Sequence, residues 1–137
     1  MEFFHTSLAG LINFALYFAC SLVLVVIFKF IYSAITPHDE WQLVKQQNVS
    51  AAIGFVGAQI GFALALGSAI SNSTHILDFL LWGVIALIAQ LLAFAVVRFL
   101  FLPQVSERIT NNEISAGIIL GGISVAVGIL NAACLTY

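Results

Sequence analysis

The sequence predicts an all-α membrane protein whose four transmembrane helices form two tandem parallel two-helix repeats. Three observations carry that prediction. Of the 137 residues, 62% are hydrophobic and 7% charged, against about 25% charged in soluble domains. A chain this short and apolar cannot cover its own surface with polar groups, so lipid must be its solvent. Second, four apolar stretches each reach the length of about 20 residues that a helix needs to cross a bilayer. Third, residues 111–134, NNEISAGIILGGISVAVGILNAAC, resemble residues 48–70 under a shift of 115 − 50 = 65. Ser50 then meets Ser115, Ala51 meets Ala116, Ile53 meets Ile118, Gly57 meets Gly122, Gly61 meets Ala126 and Ser68 meets Ala133. The length suits one transmembrane domain, with repeat one at about 7–70 and repeat two at about 75–135.

The first span covers about 7–35. Glu2, the lack of a basic n-region and the lack of a clean cleavage site predict a retained helix rather than a removed signal peptide. Pro37 and Pro103 follow the odd-numbered spans, where a chain leaving a helix tolerates proline. The second span covers 50–70 and the third 75–102; the short polar loop 71–74, SNST, makes them antiparallel neighbours. The fourth covers 114–135. Shifted by the same 65 residues, the first span meets the third more weakly: Asn13 falls on Asp78, Phe14 on Phe79 and Tyr17 on Trp82. Trp41, Leu43 and Val44 amid charges predict a short amphipathic turn at the headgroups, and Asn48 and Asn111 or Asn112 suit helix N-caps.

The even-numbered spans are studded with small residues, which let helix backbones approach closely in lipid. Ser50, Gly57, Gly61 and Ser68 line one face of the second span, and the shift assigns Ser115, Gly122, Ala126 and Ala133 to the matching face of the fourth. Gly57 with Gly61, and Gly117 with Gly121, also have GxxxG spacing. These glycines, Gly122 among them, are therefore the expected packing residues of a central pair. Further small faces, Gly54, Ala58, Ala65 and Ala69 on the second span and Gly117, Gly121, Ser124, Gly128 and Ala132 on the fourth, predict a homo-oligomer, most simply a dimer.

Lys29, Lys45, Arg98 and Arg108 all fall on the first-to-second and third-to-fourth connections or the span ends beside them. Basic residues stay on the cytoplasmic side, so both termini are expected outside. Lys29 and Arg98 lie within apolar runs and read as snorkelling to the inner interface.

Polar residues inside spans point to function by default. Gln59, Gln90 and Ser124 stand near mid-span as a candidate polar axis, and Gln59 and Ser124 are equivalent under the shift. The same residues also suit interhelical hydrogen bonding. Asp78 and Asn131, near the outer ends of the third and fourth spans, are a candidate cation-attracting mouth; for Asp78 the alternative is a charge favoured at a helix N-terminus. Nothing resembles an enzyme: no serine is forced against a histidine, His5, His38 and His75 lie at the membrane edges, and a phosphate loop is absent. No metal site or cofactor is expected, four basic residues leave no footprint for nucleic acid, and Cys20 and Cys134 read as buried inert thiols.

Two classes of function fit. One is a small transporter or channel subunit for a small polar or cationic solute, which the repeated unit with polar midplane residues favours. The other is a structural or scaffolding protein that binds a cytoplasmic partner through Glu40, Trp41 and Glu107. A transporter should line a hydrated cavity with Gln59, Gln90 or Ser124, whereas a scaffold should have a dry centre.

The stretches Phe30-Ile31-Tyr32-Ser33, Ile35-Thr36-Pro37-His38 and Glu40-Trp41-Gln42-Leu43 carry a likeness, as do Asp78, Ile88, Gln90-Leu91-Leu92 and Asn131-Ala132-Ala133-Cys134. Over essentially the whole chain the sequence resembles the YjfL-type family of small inner-membrane proteins, whose function is unknown. Ala34 stands where that family suggests a lysine. The resemblance implies a bacterial inner membrane and four spans, and supplies no catalytic residue. It also implies envelope-stress physiology, with a cytoplasmic membrane-stress protein as partner.

Overall fold

Within hydrocarbon a backbone must satisfy its own polar groups, and an apolar run lacking internal proline does so as a helix. The computed structural model describes residues 1–36, 40–101 and 104–136, and it places a helix on each of the four apolar runs. These are α1 (Glu2–Ile35), α3 (Val49–Asn72), α4 (Ile76–Val96) and α6 (Ile114–Cys134). Two six-residue helices, α2 (Glu40–Lys45) and α5 (Val105–Thr110), occupy the connections where short amphipathic turns suit the headgroups. The described residues contain no strand. The proline exits expected at Pro37 and Pro103 lie outside the described residues. Beyond Val96 the helix widens into a π-turn, Val97–Phe101, which the sequence does not foretell.

The centre is a seam between α3 and α6. Ser50 meets Gly117, Gly57 meets Gly121, and Gly61 meets Gly128, each at backbone contact. Residue numbers rise together along both helices, so the two run parallel. Glycine is required here because any side chain would enter the opposite backbone. A Cβ on Gly121, for example, would lie 2.7 Å from the Ile53 carbonyl oxygen. On α3 the seam uses the face that spacing predicts. On α6 it does not: Ser115, Gly122, Ala126 and Ala133 are exposed, whereas Gly117, Gly121, Ser124 and Gly128 are buried. Small residues occur on both sides of α6, and a Cβ on Gly122 would find no atom within 4 Å.

The outer helices pack more loosely. Leu24, Phe28 and Tyr32 of α1 are buried, and Phe28 stacks on Phe62 of α3 at 4.7 Å between ring centres. The N-terminal half of α1 is almost wholly exposed. At about 1.5 Å per residue its 34 residues span about 50 Å, more than the ~30 Å hydrocarbon core. Cys20 is half-buried and Cys134 exposed, so the expectation of two buried thiols fails for the second; it ends α6 on the side away from the seam.

The two connections share their backbone geometry at the 65-residue offset. Gln47 (φ 63°) and Asn112 (φ 59°) are both left-handed. Asn48 N–H donates to Leu43 and Gln47 N–H to Val44; Glu113 N–H donates to Arg108 and Asn112 N–H to Ile109. Each set is a Schellman C-cap, which closes a helix by reversing the handedness of one residue. Gln47 pays a left-handed cost of about 1–2 kcal/mol that glycine would avoid. Gln47→Gly is therefore expected to stabilise the protein by about 1 kcal/mol in a thermal melt. Asn112→Gly is expected to lose stability, because the Asn112 side chain makes the contact described next.

Candidate functional site

Asn48 opens α3 and is 7% exposed. Its Oδ1 accepts from Ala51 N–H (2.8 Å), capping its own helix, while Nδ2 donates to the Ile109 carbonyl at the end of α5 (2.9 Å). The cap expected from Asn111 or Asn112 on α6 takes another form. Glu113 is the N-cap and makes no side-chain cap bond, and Asn112 Oδ1 accepts instead from Ser50 N–H of α3 (3.1 Å). Ser50 Oγ donates to the Glu113 carbonyl (2.7 Å). The two connections that hold α2 and α5 thus staple the two seam helices together.

Further along, the same pattern recurs. Gln90 of α4 enters the niche that Gly61 leaves open and donates Nε2 to the Ser124 carbonyl (2.7 Å). Asn131 Nδ2 donates to the Ala86 carbonyl of α4 (3.0 Å), and Ser68 Oγ donates to the Ala132 carbonyl (2.6 Å). Each tie runs from a side-chain donor to a backbone carbonyl of a neighbouring helix. In lipid such bonds average about 0.6 kcal/mol. Their value lies in fixing which helix faces meet.

The candidate polar axis is therefore assembled in part. Gln90 and Ser124 come together at 1% and 0% exposure. Gln59 is half-buried on another face of α3 and makes no hydrogen bond to either. Three polar atoms there are buried without a partner among the described residues: Gln90 Oε1, Ser124 Oγ and Gln59 Oε1. The candidate mouth is not assembled either. Asp78 Oδ2 accepts from Thr74 N–H (3.4 Å) at the start of α4, where His75 Nδ1 caps Leu77 N–H (3.1 Å). Asn131 is engaged with Ala86 instead.

Of the packing glycines, Gly57, Gly61, Gly117 and Gly121 stand in the seam and Gly122 outside it. Gly128, which spacing placed on a spare face, belongs to the seam. Gly122 helps to line an apolar groove of about 480 Å³ on the outer side, with Ala52, Val56, Ile60, Ile118 and Val125.

At the α2 end of the bundle the Lys29 ammonium lies 4.5 Å from the ring centres of both Phe30 and Trp41, and Trp41 meets Phe55 edge-on at 5.9 Å. The cation rests on aromatic faces. Arg98 does likewise over Phe99. Glu40 opens α2, its side chain lying outside the described residues, and Glu107 is exposed on α5.

Four helices long and apolar enough to cross a membrane, three of them (α3, α4 and α6) joined by donor-to-carbonyl ties, define a multi-pass helical membrane protein. The particular family is equally plain. The chain belongs to the family described as Domain of Unknown Function (DUF350), which matches residues 6–135. It is 47% identical over 130 residues to the UPF0719 inner membrane protein YjfL of Escherichia coli K12, covering 95% of this chain and 98% of that one. It is 25% identical over 125 residues to the UPF0719 transmembrane protein YshE of Bacillus subtilis 168, covering 90% and 92%. No solved structure matches.

Proposed function

We propose that this protein is a structural unit of the bacterial inner membrane, homo-oligomeric through α3 and α6, that presents α2 and α5 to a cytoplasmic partner. The observation that carries this reading is the packed centre. Gln90 is spent on a helix-to-helix tie to the Ser124 backbone carbonyl, and the groove beside the seam is apolar. That the 47%-identical relative is an inner membrane protein supports the same place for this chain. A tandem repeat is supported by the two Schellman caps and the two six-residue helices, each pair 65 residues apart. No catalytic role is proposed, since the buried polar residues of the seam are amides and serine hydroxyls with no base or acid beside them among the described residues.

The transport reading, which the sequence favours, retains one observation: Gln90 Oε1 and Ser124 Oγ lack partners at mid-span. Proteoliposomes separate the two readings. Potassium and proton leak is expected to equal that of empty liposomes, and Gln90→Leu should change neither. A leak above background that Gln90→Leu removes would establish transport and sink the structural reading.

Both termini are proposed outside, on the placement of all four basic residues toward the opposite side. With the native cysteines replaced, Thr74→Cys should react with an impermeant thiol reagent in intact cells and Glu107→Cys should not. The reverse pattern would invert the topology. The proposed partner is a cytoplasmic membrane-stress protein reached through Trp41 and Glu107. Its co-purification should fall with Trp41→Ala and Glu107→Lys, and an unchanged yield in both would remove it.

A further inference from the structure

The seam joins two different faces, and each face has an unused counterpart on the other seam helix. On α3 it uses Ser50, Gly57, Gly61 and Ser68; on α6 it uses Gly117, Gly121, Ser124 and Gly128. Adding 65 to the first set gives Ser115, Gly122, Ala126 and Ala133, all exposed. Subtracting 65 from the second gives Ala52, Val56, Gln59 and Ala63, which are exposed or half-buried. The chain thus carries one copy of each half of its own internal contact, unoccupied.

From this we infer that the protein assembles head to tail, the exposed α6 face of one copy packing on the exposed α3 face of the next as α3 packs on α6 within a chain. The inference rests on the homo-oligomer and repeat readings above, and deepens them by naming the faces. The occupant is a second copy because the new contact continues the internal one. Two further observations agree. Phe79 of α4 is fully buried, whereas its offset counterpart Phe14 on α1 is 64% exposed. In the head-to-tail assembly α1 gains, from the preceding copy, the neighbour that α3 provides for α4. Charge also matches. Asn48 reaches the Ile109 and Thr110 carbonyls within the chain, and the same offset sets Glu113 against Val44 and Lys45 of the next copy. Both Glu113 and Lys45 are exposed, and Glu113 already pairs with Arg108 of its own chain at 3.3 Å.

A contact between unlike faces closes into a ring or propagates. At about 3.6 residues per turn the two faces of each seam helix lie roughly 150° apart, whereas four such helices from two copies need about 90° to close. The assembly is therefore a ring of more than two copies, with α3 and α6 toward the axis and α1 and α4 outside. This departs from the dimer that the composition of small faces predicts.

Cross-linking in native membranes tests it. Cys20 and Cys134 are first replaced by alanine. Two differently tagged chains, one with Gly122→Cys and one with Val56→Cys, are then co-expressed and oxidised. The expected product carries both tags, and neither variant expressed alone gives a linked pair. Glu113→Lys should shrink the particle, and adding Lys45→Glu should restore it. Linkage between like chains through Gly122→Cys would show a face-to-face dimer and overturn the inference. So would an oligomeric particle that yields no mixed product. A particle holding a single 14.7 kDa chain at all concentrations would remove the homo-oligomer reading itself.

Discussion

Gly57→Leu is expected to leave little or no folded protein, the largest effect of any single substitution in the spans. The Cβ alone would coincide with the Gly121 backbone, which cannot step aside as a flexible side chain can. Relief requires α3 and α6 to part along their length, breaking the Gly61–Gly128 and Ser50–Gly117 contacts too. Overpacking a core usually costs about 1–3 kcal/mol, and a backbone collision belongs at or beyond the top of that range. Gly128→Leu should behave alike, because its Cβ would enter the Gly61 backbone. Gly67→Leu is the control. Its Cβ would find no atom within 4 Å, so the chain should fold. Yield and melting temperature in nanodiscs read the contrast. Equal melting of the Gly57 and Gly67 variants would contradict the seam.

Asn48→Ala is expected to be the next most damaging change, at about 2 kcal/mol for a lost cap together with a lost hydrogen bond. One side chain holds the first turn of α3 and the last carbonyls of α5, and it is buried while doing so. Asn48→Asp separates the two roles. Its carboxylate still accepts from Ala51 N–H but cannot donate to Ile109, so about half the loss should remain. Denaturation of the three proteins side by side measures this. A fully stable Asn48→Asp variant would show that the cap alone matters.

Much of this fold is legible in the sequence, and the reasons differ by element. The four spans follow from length and apolarity. The α3–α4 hairpin follows from the short loop SNST, and the small helix α2 from Trp41, Leu43 and Val44 amid charges. The α3 face of the seam is readable because both small faces of that helix, the one with Ser50, Gly57, Gly61 and Ser68 and the one with Gly54, Ala58, Ala65 and Ala69, lie on its inward side. The α6 face is not, because glycine, alanine and serine occur on both sides of that helix. Periodicity there finds two candidate faces and cannot choose. The choice depends on which carbonyls α3 and α4 meet, as Gln90 meets that of Ser124. The role of Asn112 is hidden for a related reason: its side chain serves the neighbouring helix, a partner that proximity in sequence does not reveal. The exposure of α1 is also hidden, since a helix apolar all round announces no buried side.

The candidate site was half legible. Mid-span polarity singled out Gln90 and Ser124, which do meet, but placed Gln59 with them through the repeat offset. Gln59 lies instead on the α3 face equivalent to that of Ser124 on α6, turned away from the internal seam. Asn131 and Asp78 share a nominal depth in their spans. Asn131 donates to the Ala86 carbonyl of α4 and Asp78 accepts from Thr74 N–H just before its own helix, so their equal depth does not bring them together.

The central claim is the register of the parallel α3–α6 seam, from which the packing, the spare faces and the packed centre all follow. Solid-state NMR on glycine-labelled protein in lipid bilayers tests it most directly. The seam predicts Cα–Cα cross-peaks joining Gly57 to Gly121 and Gly61 to Gly128, with any Gly57–Gly122 peak weaker than the Gly57–Gly121 peak. A Gly57–Gly122 cross-peak in place of Gly57–Gly121, or the absence of any between the two helices, would contradict it.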